Sequence, residues 1–461
     1  PDRGLTVSNP ELHRALQVPV ALVDKPAEQR RDVLWLALDG ATGHVAVAGT
    51  TRSGKSTLLR TLICGLALTH TPAEVQIYCL DFGGGALSAL RDLPHVGAVA
   101  GRLDTDLVRR TVGEISVLLA DRERRFVELG IDSMAAYRAH RAVNNGAGDP
   151  YGDVFLVVDG WSTLRTEYDD LEPVITDIAT RGLAYGVHVV AAATKWSELR
   201  PAIRDLFGSR VELRLGDPSE SLVHRRAAMN VPENSPGRGM TADELHFLTA
   251  LPALADGDVS SLVKSVAAGW TGAPAPRVRL LPPVLSYAEL DLSRTTGLCL
   301  PIGIAESDLQ PVGIDFSADP HFMLFGDAES GKSSFLRALG RTITLRFAPP
   351  EARVIIIDYR RSLLGAITSE HQIGYCTTAA AATELLDSAA GYLERRLPGP
   401  EVTPQQLRDR SWWQGPELFI LVDDYDLVAA GPSNPIHRIK QYLPHARDIG
   451  LHLVIARRTG G

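Results

Sequence analysis

The stretch Gly43-His44-Val45-Ala46-Val47-Ala48-Gly49-Thr50-Thr51-Arg52-Ser53-Gly54-Lys55-Ser56-Thr57 constrains this chain more than any other. An apolar run of strand type enters G-x-x-x-x-G-K-S, and Leu59, Leu62, Ile63 and Leu66 follow at helical spacing. Strand, glycine-rich loop and helix, in that order, are the context a phosphate-binding loop requires. The glycines let successive backbone N–H groups turn inward toward phosphate oxygens, and the helix N-terminus adds partial positive charge. Gly49, Thr50, Thr51, Arg52, Ser53 and Gly54 are therefore expected to wrap the phosphates of ATP, with Thr57 in the first helical turn. Lys55 is expected to reach the β- and γ-phosphates and the Ser56 hydroxyl to ligate Mg²⁺.

The device occurs twice. Pro320-His321-Phe322-Met323-Leu324-Phe325-Gly326-Asp327-Ala328-Glu329-Ser330-Gly331-Lys332-Ser333-Ser334 repeats the stretch at an offset of 332 − 55 = 277. Gly326, Asp327, Ala328, Glu329, Ser330 and Gly331 thus read as a second phosphate loop, Lys332 as its lysine, Ser333 as its Mg²⁺ hydroxyl and Ser334 as the residue after it. Ile77 to Asp81 and Ile355 to Asp358 end at the same offset, 358 − 81 = 277. Val157-Val158-Asp159 aligns with Leu421-Val422-Asp423, and Gly186-Val187-His188 with Gly450-Leu451-His452, both at 264. Four strands recur in one order with a net deletion of 277 − 264 = 13 residues, so the chain is a tandem repeat of one domain.

Length alone, 461 residues, suggests about three domains. The repeat gives two larger ones: a module over 1–270, a Pro/Gly/Ala-rich linker over 271–283, and a module over 284–461. A hydrophobic content of 45% is ample for packed cores, and a net charge of −8 argues against a broad duplex-DNA face. Four scattered cysteines show neither metal spacing nor a disulfide framework, which points to a reducing compartment. No apolar run approaches the ~20 residues of a membrane span, and no signal peptide is visible. The chain begins at Pro1 rather than Met, so it is expected to be an internal piece of something longer.

Pro19–Asp24 and Val33–Leu38, echoed by Pro301–Ile304 and Val312–Asp315, predict a small antiparallel sheet ahead of each loop. Val75–Leu80 is apolar but for Gln76, as in a sheet covered on both faces, and Asp81-Phe82-Gly83-Gly84-Gly85 reads as a tight turn after it, with a substrate- or partner-facing loop as the alternative. Residues 104–140 read as helical, with the run Asp121-Arg122-Glu123-Arg124-Arg125 as a solvated face and 144–150 as a loop. Arg204, Arg210 and Arg214 read as surface or salt-bridged, with a cationic finger reaching a neighbour's phosphate as the alternative. The second copy stops at Gly461, directly after the strand equivalent to Val187–Ala192, and so is expected to lack a final strand and helix.

Val154–Asp159 is an apolar run ending in a carboxylate, which places Asp159 beside the first phosphate loop to hold the Mg²⁺ hydration shell; Asp423 is its counterpart. ATPases with this arrangement usually carry a Glu next, to activate the attacking water. Gly160 stands there in the first copy and Asp424 in the second, so the first site is expected to bind ATP with little or no hydrolysis and the second to be weak at best.

Further stretches carry a resemblance: Val18–Pro26, Asp149–Trp161, Arg204–Asp217, Arg410-Ser411-Trp412-Trp413 and Val422–Val428. With them the chain resembles the tandem FtsK/SpoIIIE-type ATPase modules of the EccC family, motors of the mycobacterial-type ESX (type VII) secretion systems, over essentially its whole length. The match is to the second and third of that family's three modules. The resemblance implies an α/β fold of two tandem P-loop NTPase (FtsK/RecA-like) domains, each a mainly parallel sheet with helices on both faces. It also implies ATP and Mg²⁺ as cofactors and, as partners, exported small helical-hairpin dimers and the other subunits of an inner-membrane complex. Hexameric assembly at the cytoplasmic side of that membrane follows from it, with no nucleic-acid partner, and in such proteins the last module docks a C-terminal signal of the substrate. Two departures stand against the FtsK pattern of Thr-Gln-Arg after the strand at Ala192: Ala193-Thr194-Lys195 here and Arg457-Arg458-Thr459 in the second copy. The rival readings are a DNA translocase, which would need strong basic faces and a DNA-guiding domain, and a nucleotide-locked scaffold.

Overall fold

A computed structural model describes residues 16–143, 149–253, 257–290, 296–306, 309–431 and 434–459. The chain divides into two compact units, Pro1–Leu280 and Leu281–Gly461.

Among the described residues of the first unit, ten strands form one sheet. They are β1 (Gln17–Lys25), β2 (Arg30–Ala37), β3 (Val45–Ala48), β4 (Val75–Asp81), β5 (Val96–Gly101), β6 (Asp153–Asp159), β7 (Val187–Ala193), β8 (Ser209–Leu213), β9 (Arg238–Met240) and β10 (His246–Thr249). Their order is β2-β1-β10-β9-β8-β3-β7-β6-β4-β5. From β8 to β5 every pairing is parallel, and from β8 outward through β9, β10, β1 and β2 every pairing is antiparallel. The expected small antiparallel sheet is thus present as β1 and β2, but it is fused to the parallel sheet through β9 and β10.

Every residue of β3, β4, β6 and β7 is buried. Side chains alternate across the sheet, so Val45 and Val47 join a core with Leu58, Leu59 and Leu62 of α1 (Lys55–Thr69). Ala46 and Ala48 join a second core on the opposite face, with α2 (Thr105–Leu129), α4 (Trp161–Glu167) and α5 (Leu171–Arg181). Helices on both faces explain the unbroken apolar runs. The helix predicted over 104–140 is two helices: α2 ends at Gly130, whose φ of 63° only a glycine adopts readily, and α3 (Met134–Val143) follows. The predicted loop at 144–150 falls largely on 144–148, outside the described residues.

The charged run 121–125 is not wholly solvated: Arg122 is fully buried. Its guanidinium donates to the carbonyls of Tyr185 (2.7 Å), Tyr151 (2.7 Å) and Gly152 (2.6 Å) and pairs with Asp149 at 3.1 Å. Those bonds satisfy a charge that burial would otherwise make costly. The turn glycines follow an Asp81 whose carboxylate accepts the N–H groups of Gly85 and Leu87.

Among the described residues of the second unit, β11 (Cys299–Ile304) and β12 (Pro311–Asp315) form a separate antiparallel pair. β13 (His321–Phe325), β14 (Ala352–Ile357), β15 (Gln372–Cys376), β16 (Glu417–Val422) and β17 (Leu451–Arg457) form an all-parallel sheet, with α6 (Lys332–Arg346) and α7 (Ala379–Glu394) among its helices. Its order, β13-β17-β16-β14-β15, is that of β3-β7-β6-β4-β5. The repeat read in the sequence is therefore a repeat of topology. Buried polar groups recur with it: Arg396 donates to the carbonyls of Ile449 and Pro416 as Arg122 does to those of Tyr185 and Gly152, each pair 264 residues apart. No strand among the described residues pairs on the outer edge of β13, where Met323 and Phe325 are half exposed.

At the N-terminal ends of the strands, His44 bonds the Ala179 carbonyl (2.7 Å) and accepts the Val189 N–H at Nδ1 (2.9 Å), and His188 bonds Asp153 (3.1 Å). His321, His452 and Glu417 repeat the set. Cys64, Cys79 and Cys376 are buried free thiols, and no described helix is long and apolar enough to cross a membrane.

Burial pushes the His44 imidazole down to about 4, with His188 nearby acting in the same direction, and burial also brings His95 to about 4. Their folded values lie below the unfolded value near 6.5, so the neutral form stabilises the fold at higher pH. That stability is complete above about pH 6.5 and is lost as pH falls toward 4, by up to roughly 3 kcal/mol for each group. Protection factors of β3 and β7 amides, corrected for the intrinsic exchange rate at each pH, should fall over that window. His44→Gln should show a shallower dependence; identical profiles would remove His44 as a cause.

Candidate functional site

The two phosphate loops leave their sheets at equivalent places. β3 lies between β7 and β8, and Gly49 follows it where a Cβ would sit 2.5 Å from Ser53 Oγ. Gly54 opens α1 at φ 105°, its Cα so close to the backbone of Gly237 that a Cβ would come within 2.7 Å of the Gly237 nitrogen. These are positions only glycine fits. Arg52 holds a left-handed φ of 62°, and Glu329 holds 59° at the matching place in the second loop.

Lys55 Nζ donates to the carbonyls of Gly49 (2.6 Å) and Thr50 (3.0 Å), and Lys332 Nζ to those of Gly326 (2.8 Å) and Asp327 (2.6 Å). Each ammonium is thereby arched over the mouth of its own loop. Ser56 Oγ donates to Asp159 Oδ2 at 2.6 Å, and Ser333 Oγ donates to Asp423 Oδ2 at 2.6 Å. A hydroxyl and a carboxylate side by side are the hard oxygen donors that Mg²⁺ takes, so the residues present fit that ion. Burial raises both carboxyls above the ordinary range, against the lowering effect of the serine bonds. Burial lowers Lys55, against the attraction of Asp159 and Glu198.

Gly160 stands at φ 91° with a Cβ position 3.1 Å from the Phe82 carbonyl carbon. A side chain after Asp159 would press on Phe82 from a left-handed turn, and Gly160 supplies none. Asp424 adopts the matching left-handed turn (φ 46°), its N–H donating to Asp423 Oδ1 (3.0 Å) and its carboxylate pairing with Arg360 at 2.6 Å. The structure thus brings Lys55, Ser56 and Asp159 together, and Lys332, Ser333 and Asp423 likewise, while Asp424 is tied to a residue that sequence reasoning did not single out. The repeat offset would have found it, because Arg360 stands where the first copy has Gly83.

Sequence reasoning also missed the walls of the first site. A cleft of about 460 Å³ beside the loop is lined by Thr50–Ser53, by Arg214–Gly216 and by residues 232–236. Arg214 bonds the Val231 carbonyl and pairs with Glu233 (2.6 Å), and Arg204 and Arg210 bond their own chain too. Beyond the loops, Thr194 N–H donates to Glu198 (2.8 Å), and in the second unit Arg457 pairs with Asp426 (3.0 Å) while Thr459 bonds Asp327 of the phosphate loop.

The two sheets differ at their far edges. Along β5 lies the chain's own segment 275–279: Ala275 N–H donates to the Pro94 carbonyl (2.7 Å), Tyr78 and Arg110 donate to the carbonyls of Pro276 (2.7 Å) and Arg279 (3.0 Å), and Val278 packs into the core. The stretch read as linker is thus partly docked. Along β15, no segment of the described chain is laid in this way. A groove of about 280 Å³ there is lined by Ile355, Ile373, Leu385, Tyr392 and Leu418, with Arg353 and Arg395 among its polar residues.

The FtsK/SpoIIIE family profile matches residues 13–256. The chain is 56% identical over 467 residues to the ESX secretion system protein EccC of Thermomonospora curvata, covering 99% of this chain and 35% of that one. To the ESX-1 secretion system protein EccCb1 of Mycolicibacterium smegmatis it is 40% identical over 465 residues, covering 96% and 78%. A solved structure of T. curvata EccC (ATPases 2 and 3) in complex with a signal sequence peptide superposes with a TM-score of 0.86 at 55% identity, covering 99% of this chain and 83% of that one. The chain therefore spans about a third of the length of the full EccC relative.

Gly160→Ala is expected to destabilise the first unit by about 1–2 kcal/mol, from the left-handed φ and the contact with Phe82. Urea denaturation checks this; unchanged stability would mean that the turn relaxes freely.

Proposed function

Since this chain belongs to the FtsK/SpoIIIE family, and within it to the EccC ATPases of ESX (type VII) secretion systems, matching ATPases 2 and 3, we propose that it is the ATP-binding pair of modules with which a secretion motor recognises and helps export small helical-hairpin proteins. Each module binds ATP on its phosphate loop. Lys55 and Lys332 turn from the loop carbonyls to the phosphates, and Ser56 with Asp159, and Ser333 with Asp423, hold Mg²⁺. Bound there, Mg²⁺ neutralises phosphate charge. Turnover at the first site is negligible, since Gly160 carries no acid to activate the water. Turnover at the second is weak. The modules work at the cytoplasmic side of the inner membrane, within a hexameric motor and beside the other subunits of the complex.

The observation that carries recognition is the contrast between the edges of β5 and β15. The first module's edge is covered by the segment 275–279 of its own chain, whereas the equivalent apolar groove of the second offers Ile373, Leu385 and Tyr392 to an extended or helical peptide. A relative with the same two modules is solved with a signal sequence peptide, which supports assigning a substrate's C-terminal signal to this groove.

Binding of a labelled C-terminal peptide from an exported substrate, read by fluorescence anisotropy, tests the assignment. Ile373→Arg should weaken it about tenfold or more, while Lys332→Ala leaves it largely intact; equal binding by Ile373→Arg would place the peptide elsewhere.

Nucleotide occupancy and phosphate release on the purified chain, beside Lys55→Ala and Lys332→Ala, test the ATP sites. Tightly held nucleotide with negligible turnover is expected, and each variant should lose the occupancy of its own module. Ordinary ATPase turnover abolished by Lys55→Ala would overturn the assignment of the first site.

A further inference from the structure

The two modules differ at one pair of facing positions. At offset 277 Gly83 aligns with Arg360, and at offset 264 Gly160 aligns with Asp424. In the first module Gly83 lies against Asp159, where a Cβ would fall 2.4 Å from Oδ2, and Gly160 lies against Phe82. Neither position carries a charge. In the second module both do, and the charges meet: Arg360 Nε lies 2.6 Å from Asp424 Oδ2.

Acids of the site fix both partners through their backbones. Arg360 N–H donates to Asp358 Oδ1 (3.1 Å), and Asp424 N–H donates to Asp423 Oδ1 (3.0 Å). Asp358 Oδ2 is itself taken by Leu363 N–H and the Tyr375 hydroxyl, and Asp423 Oδ2 by Ser333. Asp424 is thus the one of these three carboxylates that Arg360 engages with its side chain. The Arg360 side chain is 54% exposed, so the pair contributes little to stability and opens at small cost. A strong link would suit a structural clamp; a weak one next to the Mg²⁺ carboxylate suits control of the acid.

We propose that Arg360 is a positioning residue that withholds Asp424 from the attacking water at the second nucleotide site, a latch that the first module lacks. The proposal rests on ATP binding at that site. In hydrolysis the water oxygen bonds to the γ-phosphorus, the bridging β–γ P–O bond breaks, and Asp424 takes the water proton, leaving ADP and inorganic phosphate. While the pair holds, Asp424 Oδ2 accepts from Arg360 and the carboxylate is oriented toward that side chain, so the pair must open before the acid can turn to the water.

The test uses the full chain carrying Lys55→Ala, which silences the first site. Into it go Arg360→Gln, Asp424→Asn and the two together, with fluorescent ATP-analogue binding and phosphate release read for each across pH. Arg360→Gln should raise turnover about two- to fivefold, the range a partly exposed ion pair can hold back, and leave nucleotide affinity within about threefold. Asp424→Asn should return the double variant to the parent rate, which a merely structural role for Arg360 would not predict. Arg360→Lys, which keeps the charge and loses the planar fork, should fall between parent and Arg360→Gln. Unchanged or lower turnover in Arg360→Gln with nucleotide still bound would overturn the latch alone, as would a rise that survives Asp424→Asn. No nucleotide binding by the Lys55→Ala parent would overturn the latch and the ATP assignment of the second site together.

Discussion

A serine hydroxyl at the start of a helix must meet a carboxylate far away in the chain: Ser56 meets Asp159 across 103 residues, and Ser333 meets Asp423 across 90. That requirement dictates the sheet. The strand feeding the loop and the strand ending in the carboxylate have to lie one strand apart, with parallel neighbours and their C-terminal ends on one side. β3-β7-β6 and β13-β17-β16 are that solution, built twice. The two separations differ by 103 − 90 = 13 residues, the net deletion read from the sequence, so the second module is shortened in the excursion between loop and carboxylate without disturbing their meeting. Parallel crossovers need helices, helices cover both faces, and covered faces demand the apolar strands that fill β4, β6 and β7.

Around this shared frame the modules diverge at their margins. The first extends past β3 with β8, to which an antiparallel wing of β9, β10, β1 and β2 is joined, and the loop at 232–237 backs its phosphate loop through Gly237. Among the described residues of the second, β11 and β12 stand apart from the sheet, and the Cβ position of Gly331 faces open space, where that of Gly54 abuts Gly237. The far edges diverge too, one covered by segment 275–279 and the other bordered by an apolar groove. Two copies of one fold are thus fitted to different surroundings while their phosphate loops keep a single geometry.

Much of this was legible in the sequence, because the features that carry it are local or repeated. The strand, loop and helix around Lys55 declare themselves within fifteen residues, and a constant offset transfers the reading to Lys332. Non-local features were not legible. Nothing near Arg122 in the sequence says that three distant carbonyls await it, so a run of charges read as a solvated face. Gly130 ends α2 inside an otherwise helical pattern because its left-handed φ outweighs periodicity. The pairing of Arg360 with Asp424 was written in the repeat as a double replacement of glycines, but only their proximity makes two substitutions into one interaction. The docking of 275–279 on β5 was hidden by a composition that reads equally well as linker.

A sheet whose strands are apolar on both faces has lost the usual safeguard of register. Where one face is wet, a slip by one residue puts hydrophobic side chains into water; where both are dry, the slipped strand still looks apolar. The buried polar groups at the strand starts restore the missing information. His44 accepts the N–H of Val189, Arg122 grips the carbonyls of Tyr151, Gly152 and Tyr185, and His321 and Arg396 do the same in the second copy. A displacement by one residue would strand each of these groups without a partner in a low-dielectric interior. They act as keys cut for one alignment, and that alignment delivers Asp159 and Asp423 to the height of their serines.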